Sequence, residues 1–255
     1  MTNVLKVDLH LHTAEDPEDE IVHDAQTLVE RARDLGFDAL AITLHNRQLA
    51  DARLLDYARD LGITLIPGIE RSIEGRHVLL INFPHAVESV RSFADLAVLK
   101  SRTNGIVIAP HPFFPHPSSL QERMTAGADL FDAVEWSYFW TRGINFNAKA
   151  ARWAASHGKP LVGNSDLHDM RQFGRTCSLV FGEPSADGVC HAIREGRVSL
   201  QTTPAPKAEL TRVVTGMFRR GRKARPMREL ATTGFAGLTT IGGLVNYAGE
   251  VKARG

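Results

Sequence analysis

Cysteine is nearly missing from this chain of 255 residues: Cys177 and Cys190 are the only two. They stand at no metal-binding or redox spacing, which argues against a disulfide framework and fits a reducing compartment. The first residues, "MTNVLKVDLH", carry no signal-peptide pattern, so a cytoplasmic location is expected. A glycine-rich turn is missing after the first apolar run. A dinucleotide-binding sheet needs one there, and the acidic "HLHTAEDPEDE" would repel a phosphate unless a cation stood between them. Net charge is also nearly missing, at +1. That balance hides an asymmetry: from Lys207 onward there are ten Lys/Arg against three Asp/Glu, so residues 1–204 are acidic, at −6.

What is present is an alternation of apolar, β-branched runs with segments of helical period. Strands are expected at 4–9, 38–43, 63–67, 77–83, 105–110, 132–136, 160–164, 177–181 and 197–201. Helices are expected at 24–35, 47–61, 86–101, 118–126, 143–157 and 185–195. Such alternation predicts a mostly parallel sheet, either open and doubly wound or closed into a barrel, and the length suits one domain.

The ionisable residues follow that frame. In "LKVDLHLHT", strand alternation puts Asp8, His10 and His12 on one face and Val7, Leu9 and Leu11 on the other. His45 follows the second strand, Glu70 the third, His111 the fifth, and Asp166 and His168 the seventh. In parallel α/β folds the C-terminal strand ends carry the active site, so five strands deliver metal-type ligands to one edge. Any one of these residues alone reads as loop surface or a helix cap. Nitrogen and carboxylate ligands without thiolate suit Zn, Mn or Fe, and their number exceeds one tetrahedral shell.

The ordered pieces "DLHLHT", "AITLHN", "PGIE", "APHP" and "NSDLH" resemble the polymerase and histidinol phosphatase (PHP) family of metal-dependent phosphoesterases, over about residues 5–202. The resemblance implies a distorted (β/α)7 barrel spanning 1–205, with 206–255 a basic, Gly-rich tail. It also implies two or three divalent ions (Zn, Mn or Fe). His10, His12, Glu70 and Asp166 would hold one. Glu70 would bridge to a second held by His77 and His111, and His45 and His168 would hold a third with a ligand from the first loop. The strand pattern does not itself single out His77. For the loop ligand, counting back from Gly36 favours Asp19, with Asp16 and His23 as alternatives. Leu44 stands where the family commonly has Asp, and a hydrogen bond behind His45 is expected to be lost.

The implied activity is hydrolysis of a phosphate ester on a small metabolite or nucleotide. Glu70 would be the bridging catalytic residue and His23 a proton donor, while Arg47, Arg142 and Arg175 are candidates to hold the phosphate. Two other readings are an exonuclease acting on oligonucleotides and a non-catalytic metal-binding scaffold. The acidic body disfavours a stable nucleic-acid partner. The basic "FRRGRKARPMRE" precedes a run without charge at 230–249, whose Thr, Gly and Asn content makes a poor membrane span. A loosely ordered tail is expected, with peripheral contact of the basic stretch with anionic lipid as the alternative.

Overall fold

The computed structural model describes residues 3–221 and 223. The uncharged run at 230–249 and most of the basic stretch before it lie outside the described residues, so the loosely ordered tail and its alternative, lipid contact, fall outside them too. No helix among the described residues is long and apolar enough to cross a membrane.

The elements in chain order are β1 (Val4–Leu11), α1 (Ala25–Asp34), β2 (Ala39–Ile42), α2 (Ala52–Asp60), β3 (Thr64–Leu65), β4 (Gly68–Ile73) and β5 (Arg76–Ile81). Then come α3 (Phe93–Lys100), β6 (Ile106–Ala109), α4 (Arg123–Ala126), β7 (Ala133–Ser137), α5 (Asn147–Ser156) and β8 (Leu161–Asn164). The described chain ends with β9 (Thr176–Phe181), α6 (Ala186–Arg194), β10 (Val198–Thr202) and α7 (Lys207–Arg220).

The strands pair into two five-stranded sheets, β10-β9-β1-β2-β3 and β4-β5-β6-β7-β8. The mixed α/β class expected from the sequence is present. The mostly parallel pairing is not, because β1 meets β9, β9 meets β10, and both β4 and β6 meet β5 in antiparallel register. For β4 and β5 the physical reason lies in a turn: Glu74 and Gly75 take positive φ, and Gly75 has none of the Cβ penalty of other residues there. That turn folds β4 back on β5 as a hairpin, where the sequence predicts only a loop.

At the seams between the sheets the backbone ladder is reduced to single bridges, His45 with Glu70 and Leu11 with Leu167. Glycine permits the approach in each case. A Cβ on Gly68 would lie 2.8 Å from the Thr43 side chain, and one on Gly163 would lie 2.5 Å from the Cys177 carbonyl oxygen.

One apolar cluster draws on strands of both sheets (Leu9, Ala41, Leu79, Ile108, Ala133) and on α6. A second joins β4–β7 to α3, α4 and α5, and a third joins β1 and β2 to α1 and α2. Helix α1 enters the third cluster through Leu28, Val29 and Ala32, with the Asp24 carboxylate accepting from the Thr27 N–H as N-cap. Both cysteines are buried and free, and burial pushes their thiols up to about 11 (Cys177) and about 12 (Cys190).

Candidate metal centre

The strict alternation expected for "LKVDLHLHT" breaks inside β1. Asp8 pairs with Leu40 and Leu11 with Ile42, so β1 advances three residues while β2 advances two. This extra residue is a bulge, and its effect is visible in the core: Leu9 joins the first cluster and Leu11 the third. Asp8 drops below the centre, where its carboxylate accepts from the N–H groups of His10 and Ser165. Burial pushes its pKa up to about 7 against those hydrogen bonds.

His10 and His12 come from the end of β1, His45 from the end of β2 and Glu70 from β4. His77 is the second residue of β5, and His111, Asp166 and His168 follow β6 and β8. These eight converge. Glu70 is the hub: its Oε2 lies 3.4 Å from His10 Nε2, 3.4 Å from His12 Nε2 and 3.0 Å from His45 Nε2. Its Oε1 lies 2.7 Å from His77 Nδ1 and 3.3 Å from His111 Nε2. Asp166 Oδ1 lies 3.4 Å from His10 Nε2 and 3.5 Å from His168 Nδ1. Close donor groups form around His10, His12 and Glu70, around His10, His111 and Asp166, and around His12, Asp166 and His168. A further one joins His45 to Glu70 and His77.

The donor chemistry fits divalent ions. His10 Nε2 and His12 Nε2 are buried without a hydrogen-bond partner among the described residues. Two ligands on one tetrahedral Zn at about 2.1 Å stand roughly 3.4 Å apart, the separation those nitrogens keep from Glu70. Orphaned buried nitrogens at that separation mark lone pairs shaped for a cation.

Two carboxylates hold the rings from behind, Glu135, which the sequence does not single out, and Asp16, one of the loop alternatives. Glu135, buried in β7, places Oε1 2.8 Å from His10 Nδ1 and also accepts from Asn164 Nδ2. Its other oxygen accepts from the His111 N–H. Asp16 Oδ2 lies 2.9 Å from His12 Nδ1 and 3.0 Å from His45 Nδ1. A proton held on Nδ1 leaves Nε2 as the ligating atom, which is the usual outer partner of a metal-bound imidazole. Asp16 thereby supplies the bond behind His45 that Leu44 was expected to cost, while Leu44 packs into the third core cluster. Of the loop alternatives, Asp16 groups with His12 and His45, whereas Asp19 places Oδ2 3.1 Å from His168 Nε2 at the cavity.

The electrostatics follow from this crowding. Burial alone would lower the imidazole of His10, but Asp166, Glu135 and Glu70 hold it well above its usual range. His45 is raised in the same way by Glu70 and Asp16. Glu70, pushed up by burial, is held well below the carboxylate range by His77, His10 and His45. The backbone carries strain here too. His111 and Asp166 have φ of 29° and 49°, a left-handed region that non-glycine residues rarely adopt.

Other expected site residues lie elsewhere. His23 has Nε2 2.9 Å from the His12 carbonyl oxygen and does not line the cavity, and burial lowers its pKa. Arg47 donates to the Glu15 carbonyl, and Arg142 is exposed. The Arg175 fork is bound to Glu209 of α7, at 3.0 and 2.9 Å. None of the three arginines lines the cavity. Helix α7, inside the stretch expected to be tail, borders the centre instead. Glu209 also accepts from the Tyr138 hydroxyl, and Arg220 donates to the His168 carbonyl. The chain just beyond α7 crosses the first loop, with Lys223 Nζ donating to the carbonyls of Ala14 and Asp16.

Residues 145–198 match the family described as PHP-associated. Among curated proteins none matches the sequence. The fold is shared with a two-domain protein from Bacteroides vulgatus containing a predicted PHP-like metal-dependent phosphoesterase. That likeness has a TM-score of 0.62 at 21% identity, covering 85% of this chain and 70% of that one. It is shared with PsfC from Pseudomonas syringae, at a TM-score of 0.59 and 19% identity over 85% of this chain and 97% of that one. The lesion-specific endonuclease EndoQ from Pyrococcus furiosus also has it, at a TM-score of 0.55 and 16% identity over 78% of this chain and 58% of that one. The PHP-associated match covers residues 145–198 only, and the likenesses, at 21% identity or less, show a shared fold.

Proposed function

We propose that the chain is a metal-dependent phosphoesterase that hydrolyses a phosphate ester of a small metabolite or nucleotide at a centre of two or three Zn, Mn or Fe ions. The observation that carries this reading is the pair of orphaned Nε2 atoms of His10 and His12, set at ligand-sharing distances from Glu70 and Asp166. The two sheets, joined at seams where glycine lets the backbones approach, support taking the whole as the family's distorted barrel.

His10, His12, Glu70 and Asp166 would hold one ion, and His45 and His77 would share Glu70 around a second. Ions bound there would lower the pKa of water and neutralise charge on the phosphoryl oxygens. Glu135 and Asp16 keep protons on the Nδ1 atoms of His10, His12 and His45, so each Nε2 faces inward. His168 and Asp19 meet at the cavity, and in the absence of a third ion they hold a proton at His168 Nε2 for the leaving oxygen.

A nuclease reading has one observation in its favour, the fold shared with EndoQ. Metal analysis of the purified chain, followed by assay with Mn on an aryl phosphate, mononucleotides and oligonucleotides, separates the readings. Bound metal with turnover of the small esters is the expected result. Turnover confined to oligonucleotides would put the nuclease first, bound metal without any turnover would leave the metal-binding scaffold, and a metal-free, inactive protein would overturn the enzyme reading.

A further inference from the structure

The metal centre opens into a cavity of about 670 Å³, large enough for a drug-sized ligand. Its walls are unlike its floor. On one side α7 contributes Leu210, Val214, Met217 and Phe218, the i, i+4, i+7, i+8 stripe of a single helical face. Opposite stand Phe114, Phe139, Ile144 and Phe146. None of these eight belongs to the three core clusters, so the cavity is the apolar environment they share. Phe218, Ile144 and Phe146 are 84%, 57% and 39% exposed, an arrangement that leaves apolar surface in water unless something covers it.

The aromatic members form a chain of rings starting at a metal ligand. His111 meets Phe114 edge-on at 6.1 Å, and Phe114 meets Phe146 at 5.4 Å and Phe139 at 6.4 Å. Outside the ligand set, the cavity's polar side chains are Glu20, His116, Ser118 and Arg220. His116 and Ser118 bond each other, and Arg220 donates to the His168 carbonyl through one terminal nitrogen while its Nε is buried without a hydrogen-bond partner among the described residues. This lining has edges and faces for a flat ring and few free groups for the hydroxyls of a sugar or polyol.

We propose that the ester's alcohol half carries a planar aromatic ring, held between the Phe114–Phe146 rings and the apolar stripe of α7, which makes α7 a specificity-determining element of the site. This rests on the phosphoesterase reading for the position of the phosphate.

The test uses the full, Mn-loaded chain. Calorimetry compares naphthylphosphonate, octylphosphonate and methylphosphonate, while turnover compares 1-naphthyl phosphate, a purine nucleotide and glycerol phosphate. Naphthylphosphonate is expected to bind about ten- to a hundredfold tighter than methylphosphonate, from the apolar area it buries. Phe146→Ala and Met217→Ser are each expected to narrow that ratio severalfold. The better of naphthyl phosphate and the purine nucleotide by kcat/KM tells a simple aryl group from a nucleobase. A ratio near one, a preference for octylphosphonate, or a ratio unmoved in both variants would overturn the proposal. Loss of all turnover with the binding ratio intact would overturn the phosphoesterase reading instead and leave the pocket standing.

Discussion

The floor and the walls of one cavity solve opposite problems. The floor gathers histidines and carboxylates out of water, where each charge is costly unless paired. It is viable where an inward nitrogen has an outward counterpart: Asp16 and Glu135 behind the imidazoles of His10, His12 and His45, and Ser165 beneath on Asp8. The walls have no such wiring. They are apolar groups on a helix and on the loops after β6 and β7, and their contribution is to exclude water and choose a shape. Chemistry and selectivity are thus carried by residues that do not overlap, so each can be damaged alone.

The largest effect should come from the hub. Glu70→Gln removes a charge facing five imidazoles, and metal analysis is expected to show loss of more than one ion together with turnover at the metal-free level. A variant retaining full metal content would break the assignment of Glu70 as a shared ligand. Next come the backing carboxylates. Glu135→Gln and Asp16→Asn should lower metal affinity or activity about 10- to 100-fold while leaving the ligands in place. Equal binding in either variant would show that its imidazoles are oriented by packing alone.

Acidity should act on the floor and spare the walls. The raised imidazoles of His10 and His45 stabilise the ion-free protein below their unfolded value of 6.5, and that contribution is lost as pH climbs through their raised folded values. The depressed carboxylates of Glu70 and Asp166 contribute above their ordinary values of 4.5 and 3.8, and this is lost on acidification. Ion-free Tm should therefore peak between these limits and fall on the alkaline side. Added Zn or Mn should restore it there, because ions displace the same protons and bind more tightly as pH rises. A Tm flat across that range would contradict the buried charge pattern. The smallest effect belongs to the wall: Arg175→Ala breaks a partly exposed fork to Glu209 and should cost about 1 kcal/mol at most, with metal content unchanged. Loss of metal in that variant would mean that α7 and the floor are one unit.

The sequence makes the floor legible wherever a parallel strand ends. His10, His12, His45, His111, Asp166 and His168 all follow that rule. His77 escapes it because β5 runs antiparallel to β6, so the beginning of β5 reaches the same edge as the end of its neighbour. The missed element is the β4–β5 hairpin, whose short turn at Glu74 and Gly75 lies between two apolar runs and reads as loop. Glu135 is hidden for another reason: within "DAVEW" it looks like any strand residue, and its partner His10 lies 125 positions away. Helix α7 was masked by its own charge. Leu210, Val213, Val214 and Met217 recur at helical spacing, but the arginines around them read as a solvated tail.

The pairing of Val4–Val7 with Ser178–Phe181 has a consequence for how the protein comes into being. Synthesis is vectorial, so β1 leaves the ribosome carrying the first two imidazoles long before its β9 neighbour exists. Asp166 and His168 are made later still than Glu70, and the lysine that fastens the first loop, Lys223, comes after all of them. Until then a nascent chain can offer cations only fragments of a coordination sphere. Ions bound there would therefore be selected only once β10 and α7 have been made.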